Sequence, residues 1–299
     1  MTVGPPPTPA APTTVEPSAG RPLASPLVAI VGYTLRACLP AKRWFGVLLP
    51  CLGALLFGLL TLVLDDDPTT IESEDTTTFG SGDTDATDAE AADAVVLGDL
   101  ADESNFADVA EMGLFALVLP LACLVVGDAV LGADARAGSF QLTWLSPVSF
   151  GTIAFGRWLG GWLVTLVTLV PALALAPVIA GVPDAAGPMA LAGAFGAGAY
   201  LALFMMIGVV TRRSALWSLA IVLLGEWLLG TQLSGVAQVS PLWEAQQLFA
   251  GLWEHGVLIE RDGMPLGWAA AVRLVLVAAV CLGVATWRLG RMRPITSAD

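Results

Sequence analysis

Long apolar runs alternate with short polar segments along the 299-residue chain. Runs of about 20 apolar residues are typical of transmembrane helices, because a helix of that length crosses a hydrocarbon core of about 30 Å. Prolines at Pro171 and Pro177 are expected to interrupt the third run. The pattern therefore predicts an all-α membrane protein with six transmembrane helices: Trp44–Leu64, Met112–Leu131, Thr152–Ala180, Met189–Val210, Ser214–Gly230 and Trp268–Trp287.

The segments around the first predicted span differ in composition. Residues 1–25 are rich in proline, alanine and threonine, which is typical of a disordered tail. Residues 26–43 are mostly apolar but contain Arg36 and Pro40, and they predict a helix lying in the membrane interface. Residues 65–111 hold sixteen acidic residues and no lysine or arginine. A solvated outer loop is expected there, with a cation-attracting vestibule as the alternative.

A further helix is predicted inside the outer loop of residues 231–267. Ser240 followed by Pro241 is a typical helix start, with a capping hydroxyl and then proline at the first helical position. Apolar residues then recur at helical spacing as far as Trp253. This spacing predicts an amphipathic helix on the outer membrane face, and a membrane-surface lid and packing between spans remain equally open as its role.

The basic residues predict the orientation of the chain. With a cytoplasmic N-terminus, eleven of the thirteen lysines and arginines fall on or near the cytoplasmic side, and only Arg261 and Arg273 fall on the outer side. Both ends of the chain, including residues 290–299, and the loop of residues 132–151 are then cytoplasmic. We expect a multi-pass protein of a prokaryotic cell membrane, and the net charge of −13 with a single lysine favours a halophilic source.

Four charged residues fall inside predicted spans, where an unpaired charge is costly. Asp128 and Arg157 have similar depths on consecutive spans and are expected to form a structural ion pair. Glu226 and Arg273 both lie in the outer halves of the fifth and sixth spans. For this second pair, a structural ion pair and a place in a substrate path or gate remain equally open.

Small residues recur at helical spacing within the spans. Gly156 and Gly160 form one pair, and Gly193 and Ala197 form another, so two helices can approach closely at each. Each cysteine lies in or beside an apolar segment without a CxxC pair, and a buried small apolar role is expected for all four: Cys38, Cys51, Cys123 and Cys281.

Several common catalytic and binding motifs do not occur in the sequence. It contains no GxxxxGK[ST] phosphate loop and no HExxH metal motif, and its single histidine excludes a credible Ser-His-Asp assembly. There is also no basic patch of the kind that binds nucleic acid. We therefore expect neither an enzyme nor a metal protein.

The cytoplasmic segment DARAGSFQLTWLSPVSF, residues 134–150, resembles the signature of type-2 ABC exporter permeases. That family has a cytoplasmic loop after the second span, with an acidic-basic start, Gly-Ser or Gly-Thr, an apolar helix and a Pro-Val-Ser step. The matching positions are Asp134, Arg136, Gly138, Ser139, Leu142, Leu145, Pro147, Val148, Ser149, Gly156 and Arg157. The expected order of interfacial helix, six spans and outer helix is also similar to the family.

The resemblance implies that this segment is a coupling helix for a separate ATP-binding subunit, which would carry the ATP and Mg²⁺. Gly138 and Ser139 would begin the helix, and Pro147 would end it. Phe140 and Trp144 are four residues apart and share a face that fits an apolar groove on the partner. The resemblance further implies a second permease chain, as a homodimer or a heterodimer.

The sequence leaves two rival functions open. One is a secondary transporter driven by an ion gradient, with Glu226 and Arg273 at the transport site. The other is a membrane scaffold without transport. No inverted repeat between the two sets of three spans is evident, which disfavours the first rival. The substrate is not indicated by any motif in the sequence.

Overall fold

The computed structural model describes residues 25–38, 41–65, 104–132, 147–211, 214–229, 234–255, 259 and 263–291. Within these ranges the chain forms helices and turns, and no strand occurs. The helices are α1 Pro26–Cys38, α2 Ala41–Asp65, α3 Ser104–Val130, α4 Phe150–Ile179, α5 Ala186–Val210, α6 Ser214–Ala220, α7 Ser234–Ala237, α8 Pro241–Ala250 and α9 Trp268–Arg291. The prediction of an all-α protein is confirmed.

Three stretches have π-helical geometry. They are Ala110–Val118 and Asp128–Gly132 in and beyond α3, and Ile221–Leu229, which continues α6. A π-helical stretch is uncommon and often marks a functional position in a helix. The third stretch carries Glu226, one of the charged residues predicted to lie in the membrane.

In the described part of the chain, four helices are long and apolar enough to cross a membrane. They are Ser104–Val130, Phe150–Ile179, Pro183–Val210 and Trp268–Arg291. They overlap the second, third, fourth and sixth predicted spans and support a membrane-embedded protein. At the first and fifth predicted spans, the structure describes shorter apolar helices, Leu48–Thr61 within α2 and Trp217–Glu226.

The helix α4 runs unbroken through Pro171 and Pro177, so the predicted interruption is wrong. Each proline lacks the N–H that would bond within the helix, but packed neighbours can satisfy the backbone groups that are freed. The Cys51 thiol donates to the Thr168 carbonyl in the proline-containing half, at 3.4 Å. After Pro177 the helix ends in a turn at Gly181, whose positive φ of 87° favours glycine.

Contacts with α4 show the direction of its neighbours. We call the end of the bundle where α4 begins the Ser149 end, and the end where α4 meets α5 the Gly181 end. Cys51 and Gly58 of α2 contact Thr168 and Ala176 of α4 in the same order along both helices, so α2 is parallel to α4. Trp162 and Trp158 of α4 donate to Ala194 and Gly198 of α5, so α5 is antiparallel.

Contacts at the two ends of the bundle give the directions of α3 and α9. At the Gly181 end, Phe106 of α3 contacts Trp253, which donates to Asp184 beside the α4–α5 turn. At the Ser149 end, Val130 of α3 accepts a hydrogen bond from Arg157. Trp268 at the start of α9 packs on Phe195, with ring centroids 6.5 Å apart, and the end of α9 reaches the start of α4. The helices α2, α3, α4 and α5 therefore alternate in direction, and α9 is parallel to α5 and antiparallel to α4.

Glycines in α4 bring α1 close to it. A Cβ added to Gly156 would lie 2.9 Å from Ile30 Cγ2, and one added to Gly160 would lie 2.7 Å from Thr34 Cβ. In the second predicted pair, a Cβ on Gly193 would lie 2.6 Å from Leu173 Cδ1. The small-residue pairs thus serve helix packing within one chain. All four cysteines are buried, as predicted.

We predict that Gly58→Ala destabilises the bundle, because an added Cβ would lie 2.5 Å from the Ala176 carbonyl oxygen and 3.0 Å from its Cα. These are backbone atoms that cannot rotate away, so a loss of about 1–3 kcal/mol is expected. Thermal unfolding in detergent measures it. Gly283→Ala is the matched control in α9, since a Cβ there meets nothing within 4 Å. Equal unfolding temperatures for the two variants would contradict the close contact.

Candidate functional site

Most of the candidate coupling segment lies outside the described residues: Asp134, Arg136, Gly138, Ser139, Phe140, Leu142, Trp144 and Leu145. Its two flanks are described. The π-helical turn after α3 reaches Gly132, and Pro147 lies exposed in a bend three residues before α4. Both flanks are at the Ser149 end of the bundle. The candidate segment therefore connects two membrane-length helices at one end of the molecule.

The entry into α4 is fixed by a local cap. Ser149 has extended backbone geometry, and its hydroxyl accepts a hydrogen bond from the Thr152 N–H at 3.2 Å. The two hydroxyls of Ser149 and Thr152 also lie 2.8 Å apart. This cap satisfies one of the N–H groups that a helix start leaves free, so α4 has a defined first turn directly after the segment.

Arg157 lies two turns into α4 and connects this helix to α1 and α3. Its side chain is 7% exposed, and its Nη1 donates to the Val130 carbonyl of α3 at 3.1 Å. The guanidinium also lies 5.8 Å from the centre of the Tyr33 ring of α1. Its pairing with Asp128 stays a prediction. A movement of the segment would therefore act on α1, α3 and α4 together.

A second polar cluster surrounds the buried carboxyl group of Glu226. The Tyr200 hydroxyl of α5 donates to Oε2 of Glu226, which is 4% exposed. The Trp243 indole donates to the backbone carbonyl of Glu226 at 3.1 Å. The hydroxyl of Ser240 lies beside the same carboxyl without completing a hydrogen bond to it. Glu226, in the π-helical continuation of α6, is thus contacted by α5 through Tyr200 and by α8 and its preceding residue through Trp243 and Ser240.

The two residues predicted as an outer ion pair have other partners. Arg273 pairs with Glu244 of α8, with 3.3 Å between Nη1 and Oε1, whereas Glu226 is bonded to Tyr200. Burial raises the pKa of Glu244 to about 6, and the hydrogen bond and charge of Arg273 oppose that rise. The predicted pair of Glu226 and Arg273 is replaced by the pair of Glu244 and Arg273, because α8 places the carboxylate of Glu244 beside Arg273.

The helix α8 is not an amphipathic surface helix. It begins at Pro241 as predicted, but all ten of its residues are buried, and the Ser240 hydroxyl does not cap it. A Cβ on Gly196, ten residues into α5, would lie 3.1 Å from Ala245 Cβ, so α8 reaches about 15 Å along α5. Of the two roles that the sequence leaves open for this helix, its burial favours packing between spans over a membrane-surface lid.

The polar side chains of α8 find partners inside the protein. Gln246 donates to the Glu111 carbonyl and Gln247 to the Ile259 carbonyl, each at 3.3 Å. These bonds and the Glu244–Arg273 pair replace the water that an amphipathic pattern implies. One signal was present in the sequence: the polar residues Glu244, Gln246 and Gln247 do not share a single helical face.

Tyr200 was not among the sequence-based candidates, although it is one of two tyrosines in the chain and lies within a predicted span. Its hydroxyl needs a partner when buried, and that partner is on another helix. Sequence spacing does not show which helix faces it, so its link to Glu226 required the tertiary structure.

An apolar groove of about 240 Å³ opens sideways between α4, α5 and α9. Trp158 and Trp162 line it with stacked rings 5.4 Å apart, and their indole N–H groups donate to the Gly198 and Ala194 carbonyls at 2.8 and 2.9 Å. Because these donors are satisfied within the protein, the groove presents hydrocarbon surface. It suits a bilayer environment and has no means of holding a polar molecule.

No protein-family model matches the chain, and no curated protein matches it. The class of protein that the described helices define is an all-α membrane protein with four helices of membrane-spanning length.

We predict that Glu244→Gln alters the pH dependence of stability. The pKa of Glu244 is near 6 in the folded chain and near 4.5 when unfolded, so its favourable contribution is full below pH 4.5 and lost as the pH rises through 6. Between pH 4.5 and 7, the unfolding temperature of the wild type should fall by about 2–4 °C relative to the variant. Thermal unfolding in detergent micelles tests this, with the exposed Glu254→Gln as control. Parallel curves for wild type and Glu244→Gln would contradict the assignment.

Proposed function

We propose that the chain is the membrane-spanning permease subunit of a type-2 ABC exporter. The observation that carries the proposal is the segment of residues 134–150, whose pattern resembles the coupling loop of that family. The alternating helix directions support it, because they leave α1, both flanks of the segment and the end of α9 at the Ser149 end. A soluble partner at that end would contact all of these elements.

The proposed topology has six spans. The helices α2 and α6 with its π-helical continuation complete the four membrane-length helices, and α1 lies at the interface beside the first turns of α4. The Ser149 end is assigned to the cytoplasm, because the basic residues concentrate there in the sequence. Both chain ends are then cytoplasmic, and the Gly181 end, with α8, faces the outside of the cell membrane.

In the proposed mechanism, ATP and Mg²⁺ bind to a separate ATP-binding subunit, and this chain holds no cofactor. Closure of two such subunits would push on the coupling segments of two permease chains. The capped start of α4 and the buried Arg157 would transmit that push to α1, α3 and α4 as a unit. Tilting these helices would alter access to a path between the two chains.

Purification of the tagged chain from its native host in mild detergent tests the proposal. We expect a stoichiometric partner that carries a phosphate loop and gives the complex ATP hydrolysis, identified by mass spectrometry of the purified material. A chain that purifies alone at every detergent strength would overturn the proposal. That result would favour the secondary transporter, and ion-driven uptake in vesicles would then be measured.

We predict that replacing both Phe140 and Trp144 by alanine detaches the ATP-binding subunit and leaves the chain in the membrane. The reason is that the two aromatic side chains share one helical face and would supply most of the apolar contact with the partner. Recovery of the partner with the tagged variant is the measurement. Trp268→Ala is the control, since Trp268 is 59% exposed at the opposite end. Unchanged recovery with the double variant would remove the coupling assignment.

A further inference from the structure

The carboxyl group of Glu226 has one satisfied oxygen and one that is not. Oε2 accepts the hydrogen bond from Tyr200, and Oε1 is buried without a partner among the described residues. The Ser240 hydroxyl beside it is also buried without a partner there. Two neighbouring buried polar atoms that are left unmatched are costly, so the pair needs an explanation.

The charges around Glu226 do not favour a carboxylate anion. Its neighbours among the described residues are Tyr200, Ser240 and the Trp243 indole, and none of these is a cation. The buried thiol of Cys123, which belongs to α3, lies close to Tyr200. Arg273 of α9, the basic residue predicted to lie near Glu226, is bonded to Glu244. A buried anion without a cationic partner is among the most costly arrangements in a protein or a membrane.

A proton on the carboxyl group lets both unmatched atoms bond to each other without leaving a buried anion. A neutral carboxyl group carries one O–H donor, and a serine hydroxyl has lone pairs that accept it. Since Oε2 already accepts from Tyr200, the proton belongs on Oε1, where it can be donated to the Ser240 oxygen. No metal ion is needed, and the described residues hold no group of three or more His, Cys, Asp or Glu side chains placed to bind one.

We propose that Glu226 is a proton-binding site, occupied in this conformation, whose proton joins the π-helical part of α6 to the first turn of α8 through Ser240. The same residue is also tied to α8 through the bond from Trp243 to its carbonyl. Release of the proton would leave a buried anion that has only hydroxyl groups, those of Tyr200 and Ser240, as side-chain partners among the described residues. Proton uptake and release at Glu226 would therefore alter the stability of this junction, independently of whether an ATP-binding partner exists.

Infrared spectroscopy of the full chain in lipid nanodiscs tests the proposal. At pH 7.5 the wild type should show the carbonyl stretch of a protonated carboxyl group, and Glu226→Gln should lose that band. Glu244→Gln is the matched control, because Glu244 is paired with Arg273, and the band should remain. Absence of any Glu226-dependent band at pH 7.5 would overturn the proposal. A band that appears only after Na⁺ and K⁺ are removed would also overturn it, since a metal cation would then occupy the site.

Two further variants keep the test decisive if Glu226→Gln fails to fold. Tyr200→Phe removes the donor to Oε2, and Ser240→Ala removes the acceptor for the proton. Each should move the carbonyl band to higher frequency, because a carboxyl group with fewer hydrogen bonds has a stiffer C=O bond. A band that neither substitution shifts would not belong to Glu226 and would contradict the proposed geometry.

Discussion

The close approach of α4 to its neighbours is the constraint on which the rest of the structure depends. Gly156 and Gly160 admit side chains of α1, and the backbone at Ala176 touches Gly58 of α2. In a bilayer, helices gain little by leaving lipid, so association relies on close packing and on interhelical hydrogen bonds. The indole groups of Trp158 and Trp162 add such bonds to α5. One helix with small residues on one side and tryptophans on another therefore positions the elements around it.

A second constraint is that polar groups buried between these helices need hydrogen-bond or ionic partners within the protein. The helix α8 enters beside α5 with three polar side chains, and the protein supplies Arg273 and two backbone carbonyls for them. Trp253 is bonded to Asp184 in the same way, which ties the segment after α8 to the α4–α5 turn. These bonds make the Gly181 end a connected polar region, whereas the sides of the bundle remain apolar.

The two candidate sites lie on the same set of helices. Arg157 is near the start of α4, close to the candidate coupling segment, and Tyr200 of the Glu226 cluster lies two residues after Gly198, whose carbonyl accepts a hydrogen bond from Trp158 of α4. The helices α3 and α5 pass both regions. In the proposed exporter, a push at one end would thus reach the junction of α6 and α8 through helices that are rigid along their length. A proton at Glu226 would act on the same junction.

The sequence by itself determined the class of the protein, because apolar runs of membrane length must form helices that satisfy their own backbone. It also placed the start of α8 at Pro241 and the burial of the cysteines. Only the tertiary structure decided that Glu226 meets Tyr200, that Arg273 meets Glu244 and that α8 is buried. The physical reason is that periodicity records which face of a helix is polar, but water and a matching side chain satisfy that face equally well. Which of the two is present depends on helices distant in the chain.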